Sequence, residues 1–238
     1  MTETDWFAAI EATWPPAARQ EVGPITVRDG QGGGKRVSAA TVQGRVTEAD
    51  LARAEDAMRA LGQTPLYQIR GAQRPLDHAL AARGYVRIDP VVVLAAPVAM
   101  LATAPPPPVS AFTMWPPLRI MEDIWAEGGI GPARLAVMGR VVGPKTALLG
   151  RQNDRAAGVA FAACHGPVAL CHALEVAPAH RRQGVAGNLM RATALWAADA
   201  GAGILAALVT EENAAARALY ASLGMAVVEN YHYRILTA

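Results

Sequence analysis

The chain has 238 residues, enough for one large domain or two small ones. It is 52% hydrophobic and 18% charged, a balance that supports a substantial core and excludes a disordered chain. A net charge of +2 without a long basic block gives no footing for nucleic-acid binding as a main role.

From the start of the chain, Met1-Thr2-Glu3-Thr4-Asp5 is acidic and lacks the basic-then-apolar order of a signal peptide. Gly30-Gln31-Gly32-Gly33-Gly34-Lys35-Arg36 hints at a nucleotide-binding loop. However, no glycine lies five before Gly34 and arginine follows the lysine, so it reads as a flexible turn between strands. Thr47 and Asp50 give a cap signal to the helical run Glu48–Leu61. The apolar run Val91–Leu101 contains Pro97 and falls short of the roughly 18 residues a membrane helix needs. The expectation is a cytoplasmic protein with no membrane partner. Pro105-Pro106-Pro107-Pro108 favours an extended segment that joins neither a helix nor a central strand, and sets a boundary between residues 1–104 and 111–238.

Beyond the prolines, Leu118 to Glu127 is amphipathic and predicts a helix, broken by Gly128-Gly129-Ile130-Gly131-Pro132. A short helix follows around Ala133 to Met138. Thr146–Leu149, Gly158–Ala163 and Val168–Val176 predict strands, a helix runs from the glycine turn to Ala198, and Ile204–Val209 predicts a buried strand. Asn213–Leu223 predicts a helix closed by Gly224, and Met225–Val228 and Tyr231–Leu236 predict two final strands. The fold class is α/β with a mixed sheet. Cys164 and Cys171, the only cysteines, fall in predicted strands and read as buried, reduced thiols, with no disulfide framework and no metal site.

The most specific stretch is Val176-Ala177-Pro178-Ala179-His180-Arg181-Arg182-Gln183-Gly184-Val185-Ala186-Gly187. A strand, an arginine-bearing glycine turn and a helix start suit an anion, because the first amides of a helix lack intrahelical acceptors and lie at the positive end of its dipole. Gly184 permits close backbone approach, and Arg181 and Arg182 can add charge-assisted hydrogen bonds.

The first half repeats the second faintly. Gly84 in Ala82–Val86 matches Gly224 in Ser222–Ala226 at an offset of 140 positions. At the same offset Pro65–Ile69 falls on Leu205–Val209, Gln43-Gly44 on Gln183-Gly184, and Glu48–Leu61 on the helix after the glycine turn. Thr41, Val46 and Leu80 stand where the second half has Arg181, Ala186 and Tyr220, so residues 1–104 read as a degenerate, non-catalytic copy.

The pattern Arg181-x-x-Gly184-x-Ala186, with Asn213-x-x-Ala216-x-x-Leu219-Tyr220-x-x-x-Gly224-Met225 following at the usual distance, resembles the acetyl-CoA motifs of the GNAT superfamily of N-acetyltransferases. The resemblance covers residues 111–238. It implies the acyl-CoA N-acyltransferase fold, here duplicated, and direct transfer of acetyl from acetyl-CoA to a small-molecule or peptide amine. It also implies that strand Val168–Val176 splays from Ile204–Val209 and that backbone groups of Leu174 and Val176 pair with the pantetheine arm. The amides of Arg182, Gln183, Gly184, Val185, Ala186 and Gly187 would hold the pyrophosphate, Asn213 would reach the cofactor, and Tyr220 would be the general acid. The segment His172–Val176 is similar to the corresponding strand of arylalkylamine N-acetyltransferases, which makes His172 a base or relay, with Glu175 and water as alternatives. Alternation groups His172 with Leu174 and Val176 on one face, opposite Cys171, Ala173 and Glu175. Tyr231 and Tyr233 read as a packed strand or an acceptor wall, and Trp125 and the loop Gly128–Pro132 as pocket lining or packing. The rival readings are an acetyl-CoA sensor without turnover and a partner-recruiting module. Acceptor identity and oligomeric state stay open.

Overall fold

A computed structural model describes residues 4–237; Met1–Glu3, part of the acidic stretch read above, lie outside the described residues. The first half runs α1 (Trp6–Thr13), β1 (Ala18–Val22), β2 (Ile25–Asp29), α2 (Lys35–Ser38), β3 (Thr41–Val42), α3 (Glu48–Ala60), β4 (Leu66–Arg70), α4 (Arg74–Ala82), β5 (Val86–Pro97) and α5 (Val98–Ala102). After the prolines come β6 (Ala111–Met114), α6 (Arg119–Glu127), α7 (Pro132–Arg140), β7 (Lys145–Gln152), β8 (Arg155–His165), β9 (Val168–Val176), α8 (Val185–Asp199), β10 (Ile204–Thr210), α9 (Ala214–Ser222) and β11 (Ala226–Ile235). A single 3-10 turn, Pro178–His180, separates β9 from α8.

Eight strands form one mixed sheet in the order β4-β11-β5-β10-β9-β8-β7-β6, and β1-β2-β3 form a small second sheet. The sheet crosses the proline run. β5 lies between β10, with Ile204 opposite Pro97, and β11, with Ala226 opposite Ala95 and Ile235 opposite Val86. β11 in turn pairs with β4, Ile235 opposite Leu66. Each half therefore lends its last strand to the other. The central run Val91–Ala96, too short for a membrane, is apolar because both faces of β5 are covered. No helix among the described residues is long and apolar enough to cross a membrane.

The chain's final segment differs from the expected pair of strands. β11 is one continuous strand, with register shifts between Val227 and Glu229 and between Tyr231 and Tyr233. The two irregularities flank Glu229-Asn230, a polar pair that stays in register opposite Val93 and Val92, so the strand continues where the sequence suggests a break. The glycine run at 30–34 differs too: it leads from β2 into the single helical turn α2, not into a strand, and packs on α7. A Cβ at Gly33 would lie 2.6 Å from a Val137 methyl.

The offset of 140 recurs in the geometry. α4 and α9, Arg74–Ala82 and Ala214–Ser222, share their bounds at that offset, and both end in a left-handed glycine, Gly84 (φ +87°) and Gly224 (φ +75°). Gly44 and Gly184 adopt matching φ values of +83° and +84° ahead of α3 and α8.

Candidate active site

β9 and β10 run parallel and pair from Val168–Ile204 to Cys171–Ala207, and then pairing stops although both strands continue. The cause lies in β9. Ala173 adopts a left-handed φ of +50° at a register shift against β8, and its carbonyl accepts a 2.7 Å hydrogen bond from the indole of buried Trp125. The opened strands bound a cavity of about 280 Å³, lined by Cys171, His172, Leu174, Asn213 and Tyr220 among others.

The bulge also overturns the expected strand faces. Cys171, Leu174 and Val176 pack toward α8, whereas His172 lies against Trp14 and Phe161 on the opposite face. Simple alternation fails because the bulge at Ala173 inserts one residue out of step. Trp125 is buried packing, and Ile130 from the following loop lines a second cleft.

Tyr220 is 5% exposed and lines the opened cavity, and its hydroxyl has no hydrogen-bond partner among the described residues. Burial, with Cys171 nearby, pushes its pKa well above the usual tyrosine range, so it stays protonated at neutral pH. Burial likewise pushes the Cys171 thiol up to about 12, and both cysteines are free and buried.

His172, 4% exposed, has both ring nitrogens engaged. Nδ1 lies 3.1 Å from Arg36 Nη1, which can only donate, so Nδ1 accepts and Nε2–H donates to Thr13 Oγ1 at 2.9 Å. The Thr13 hydroxyl in turn donates a hydrogen bond to Ala9 O at 2.8 Å. Burial and the Arg36 charge hold the imidazole neutral, its pKa well below the ordinary value. Glu175 is ion-paired with Arg181 at 3.2 Å and turned toward Gly128, where a Cβ would lie 2.6 Å from its Cγ.

Beyond the end of β9, Arg182 (φ +62°) and Gly184 (φ +84°) curl the backbone into α8. The amides from Arg182 to Gly187 find no acceptor among the described residues, and α8 has no side-chain cap. Arg181 folds back, donating from Nε to Val176 O at 3.0 Å, and Gln183 donates to Ala179 O at 3.0 Å. Arg182 is exposed. Asn213 caps α9, its Oδ1 accepting from the Ala216 amide at 3.0 Å, and lines the opened cavity.

A second cavity of about 270 Å³ adjoins the first, the two sharing Arg36, Val91, Ala173 and Thr210. More than half of its lining comes from before the proline run, including Trp14, Gly34 and Asp89, and Tyr231 and Tyr233 close its wall. Both tyrosines are also buried in the sheet, so packing and lining coincide. Sequence reasoning missed Arg36 as a member of the site. The only local signal was its place after a glycine run, and what brings it to His172 is a contact across 136 residues of chain.

Residues 113–225 match the model of the acetyltransferase (GNAT) family. No curated protein matches the chain. Among solved structures it is similar to a GCN5-related N-acetyltransferase from Kribbella flavida, with 16% identity, TM-score 0.71, and 96% of this chain and 93% of that one covered. It is also similar to a functionally unknown conserved protein from Staphylococcus epidermidis (8% identity, TM-score 0.69, 94% and 96% covered). A tandem GNAT protein from the clavulanic acid biosynthesis pathway aligns at 18% identity and TM-score 0.61, with 88% and 76% covered. At these identities the likeness is one of fold, and it extends over both sides of the proline run in the first two cases. The opened β9–β10 pair and the uncapped glycine turn both lie within residues 113–225, the stretch that matches the acetyltransferase (GNAT) family model.

Proposed function

We propose that the chain is an N-acetyltransferase that moves an acetyl group from acetyl-CoA to a primary amine by direct attack in a ternary complex. One observation carries this reading: β9 leaves β10 to open a cavity lined by Leu174, Asn213 and the unpartnered Tyr220, and the same strand runs on into the uncapped amides of α8. Acetyl-CoA supplies the thioester. Leu174 and Val176 offer backbone groups to its extended arm, the amides from Arg182 to Gly187 take its phosphates, and Asn213 adds its amide. Tyr220, kept protonated by burial, donates to the sulfur as charge develops there.

The ammonium also needs a proton acceptor. His172 is the candidate through Nδ1, which is available only when Arg36 releases it, with Thr13 fixing the opposite nitrogen. Residues 1–104 are read as a degenerate copy of the same scaffold, whose matching helix bounds and glycine conformations support duplication. Reduced, buried cysteines are consistent with a cytoplasmic setting.

The test is a thiol-release assay over an amine panel, with acetyl-CoA affinity measured by calorimetry. Tyr220→Phe is expected to lower kcat by about 100-fold while leaving that affinity nearly intact. An unaltered rate removes Tyr220 from the mechanism, and acetyl-CoA binding without transfer to any amine marks a sensor instead.

A further inference from the structure

We propose that the second cavity selects amines that carry a carboxylate, held by Arg36 from the first half and Arg134 from the second. That this cavity receives the acceptor rests on the acetyl-transfer reading above; its preference for an anion rests on its own charges.

The lining contains three cations, Lys35, Arg36 and Arg134, against one carboxylate, Asp89. Lys35 and Asp89 neutralise each other through a 2.5 Å ion pair. Two guanidinium groups are then left over. Arg36 has no carboxylate within ion-pair distance among the described residues; Nη1 is on the His172 ring and Nε is buried without a partner. Arg134 also makes no ion pair among the described residues, and it lies over Gly34, where a Cβ would be 3.6 Å from its Nε and Nη2.

The fold sets both charges on the lining of one cavity through the contact between the glycine loop and α7. Gly34 has φ +98°, a conformation that side chains avoid, and Gly33 lets the loop press on Val137 of α7, one turn along the helix from Arg134. Guanidinium groups that line one cavity repel each other and are stabilised by an anion bound between them, which guanidinium holds in a two-pronged geometry. A simple ammonium entering the same space meets net positive charge, so decarboxylated amines and polyamines are disfavoured. The carboxylate end anchors at Arg36 and Arg134, and Arg36, shared by both cavities, marks the side that faces the cofactor cleft.

The experiment compares amino acids with their decarboxylated amines as acceptors, in wild type, Arg134→Gln and Arg36→Gln. Wild type is expected to favour the carboxylate-bearing member of each pair by about 10-fold or more in kcat/KM, and each variant to reduce that preference by about 10-fold. Arg134 is exposed, so its variant keeps the test available if the Arg36 variant fails to fold. Calorimetric binding of the same compounds, with and without CoA, reads the preference even where no transfer occurs. A decarboxylated amine that serves or binds as well as its parent, a preference untouched by both substitutions, or no binding of either class overturns the proposal. A separate acetyl-CoA titration reports on the transfer reading itself, so the two can fail independently.

Discussion

The two halves present the same turn-into-helix unit with opposite outcomes. Ahead of α3, the Thr47 hydroxyl accepts from the Asp50 amide while the Asp50 carboxylate takes the Thr47 amide at 2.9 Å, so the chain supplies its own anion. Ahead of α8 no side chain does this, and the amides stay free. The strands beside the turns diverge likewise. At Leu208 and Thr210 the second half borders a cavity of about 280 Å³; at Gln68 and Arg70 the first half leaves only about 10 Å³. Arg28, its side chain 6% exposed, fills that space, donating to Thr41 and paired with Glu11 at 2.8 Å, and Leu80 is fully buried where the other half has Tyr220. A ligand site is a place where the chain leaves polar groups unmet and strands unpaired; the first half has met and packed them.

The comparison breaks most severely if the halves are separated. Expressed alone, residues 105–238 lack β5 and β4, leaving both edges of β11 and one edge of β10 bare, and no cooperative unfolding transition is expected. Adding residues 1–104 as a second chain should restore one, measured by circular dichroism; an independently folded fragment would refute the shared sheet.

Next in size, Gly184→Asp is expected to lower acetyl-CoA affinity by more than about 100-fold in calorimetry, by setting a carboxylate against the proposed phosphate site. Gly44→Asp should leave it unchanged. Both glycines have open space for a Cβ and φ near +84°, so each substitution carries a similar strain of about 1 kcal/mol. Equal effects on binding would erase the distinction between the turns.

Leu80→Ala should cost about 3 kcal/mol of stability through the cavity left behind, shifting Tm by several degrees without altering acetyl-CoA affinity. The smallest effect is at the seam. The Arg234 guanidinium, with His232, holds the Asp77 carboxyl down to about 2 from an ordinary 3.8, tying α4 to β11. A depressed carboxyl stabilises the fold above the ordinary value, and that stability is lost as pH falls through about 2. Asp77→Asn should therefore cost about 1 kcal/mol at neutral pH and remove this part of the acid dependence, read from chemical denaturation across pH.

Local signals made much of this legible. The capped helix Glu48–Ala60, the glycine turn before α8 and the Asn213-capped helix were all readable, because caps, left-handed glycines and apolar period are properties of a few neighbouring residues. The paired glycine conformations likewise follow a repeat visible in sequence at Gly44 and Gly184.

Three features needed the tertiary structure. The bulge at Ala173 reversed the expected side of His172 relative to Leu174, since alternation carries no marker for one extra residue. The exchange of β5 and β11 depends on pairing between segments about 140 positions apart, where apolar strands fit several neighbours equally well in sequence. Arg36 came to His172, and to one cavity with Arg134, only through tertiary packing of the glycine loop, which rests on α7. The sequence by itself determined the elements and the anion-ready turn, because their causes are local. Only the tertiary structure decided which half keeps an open cleft and what charge faces it, because burial and unmet charge are set by residues distant in the chain.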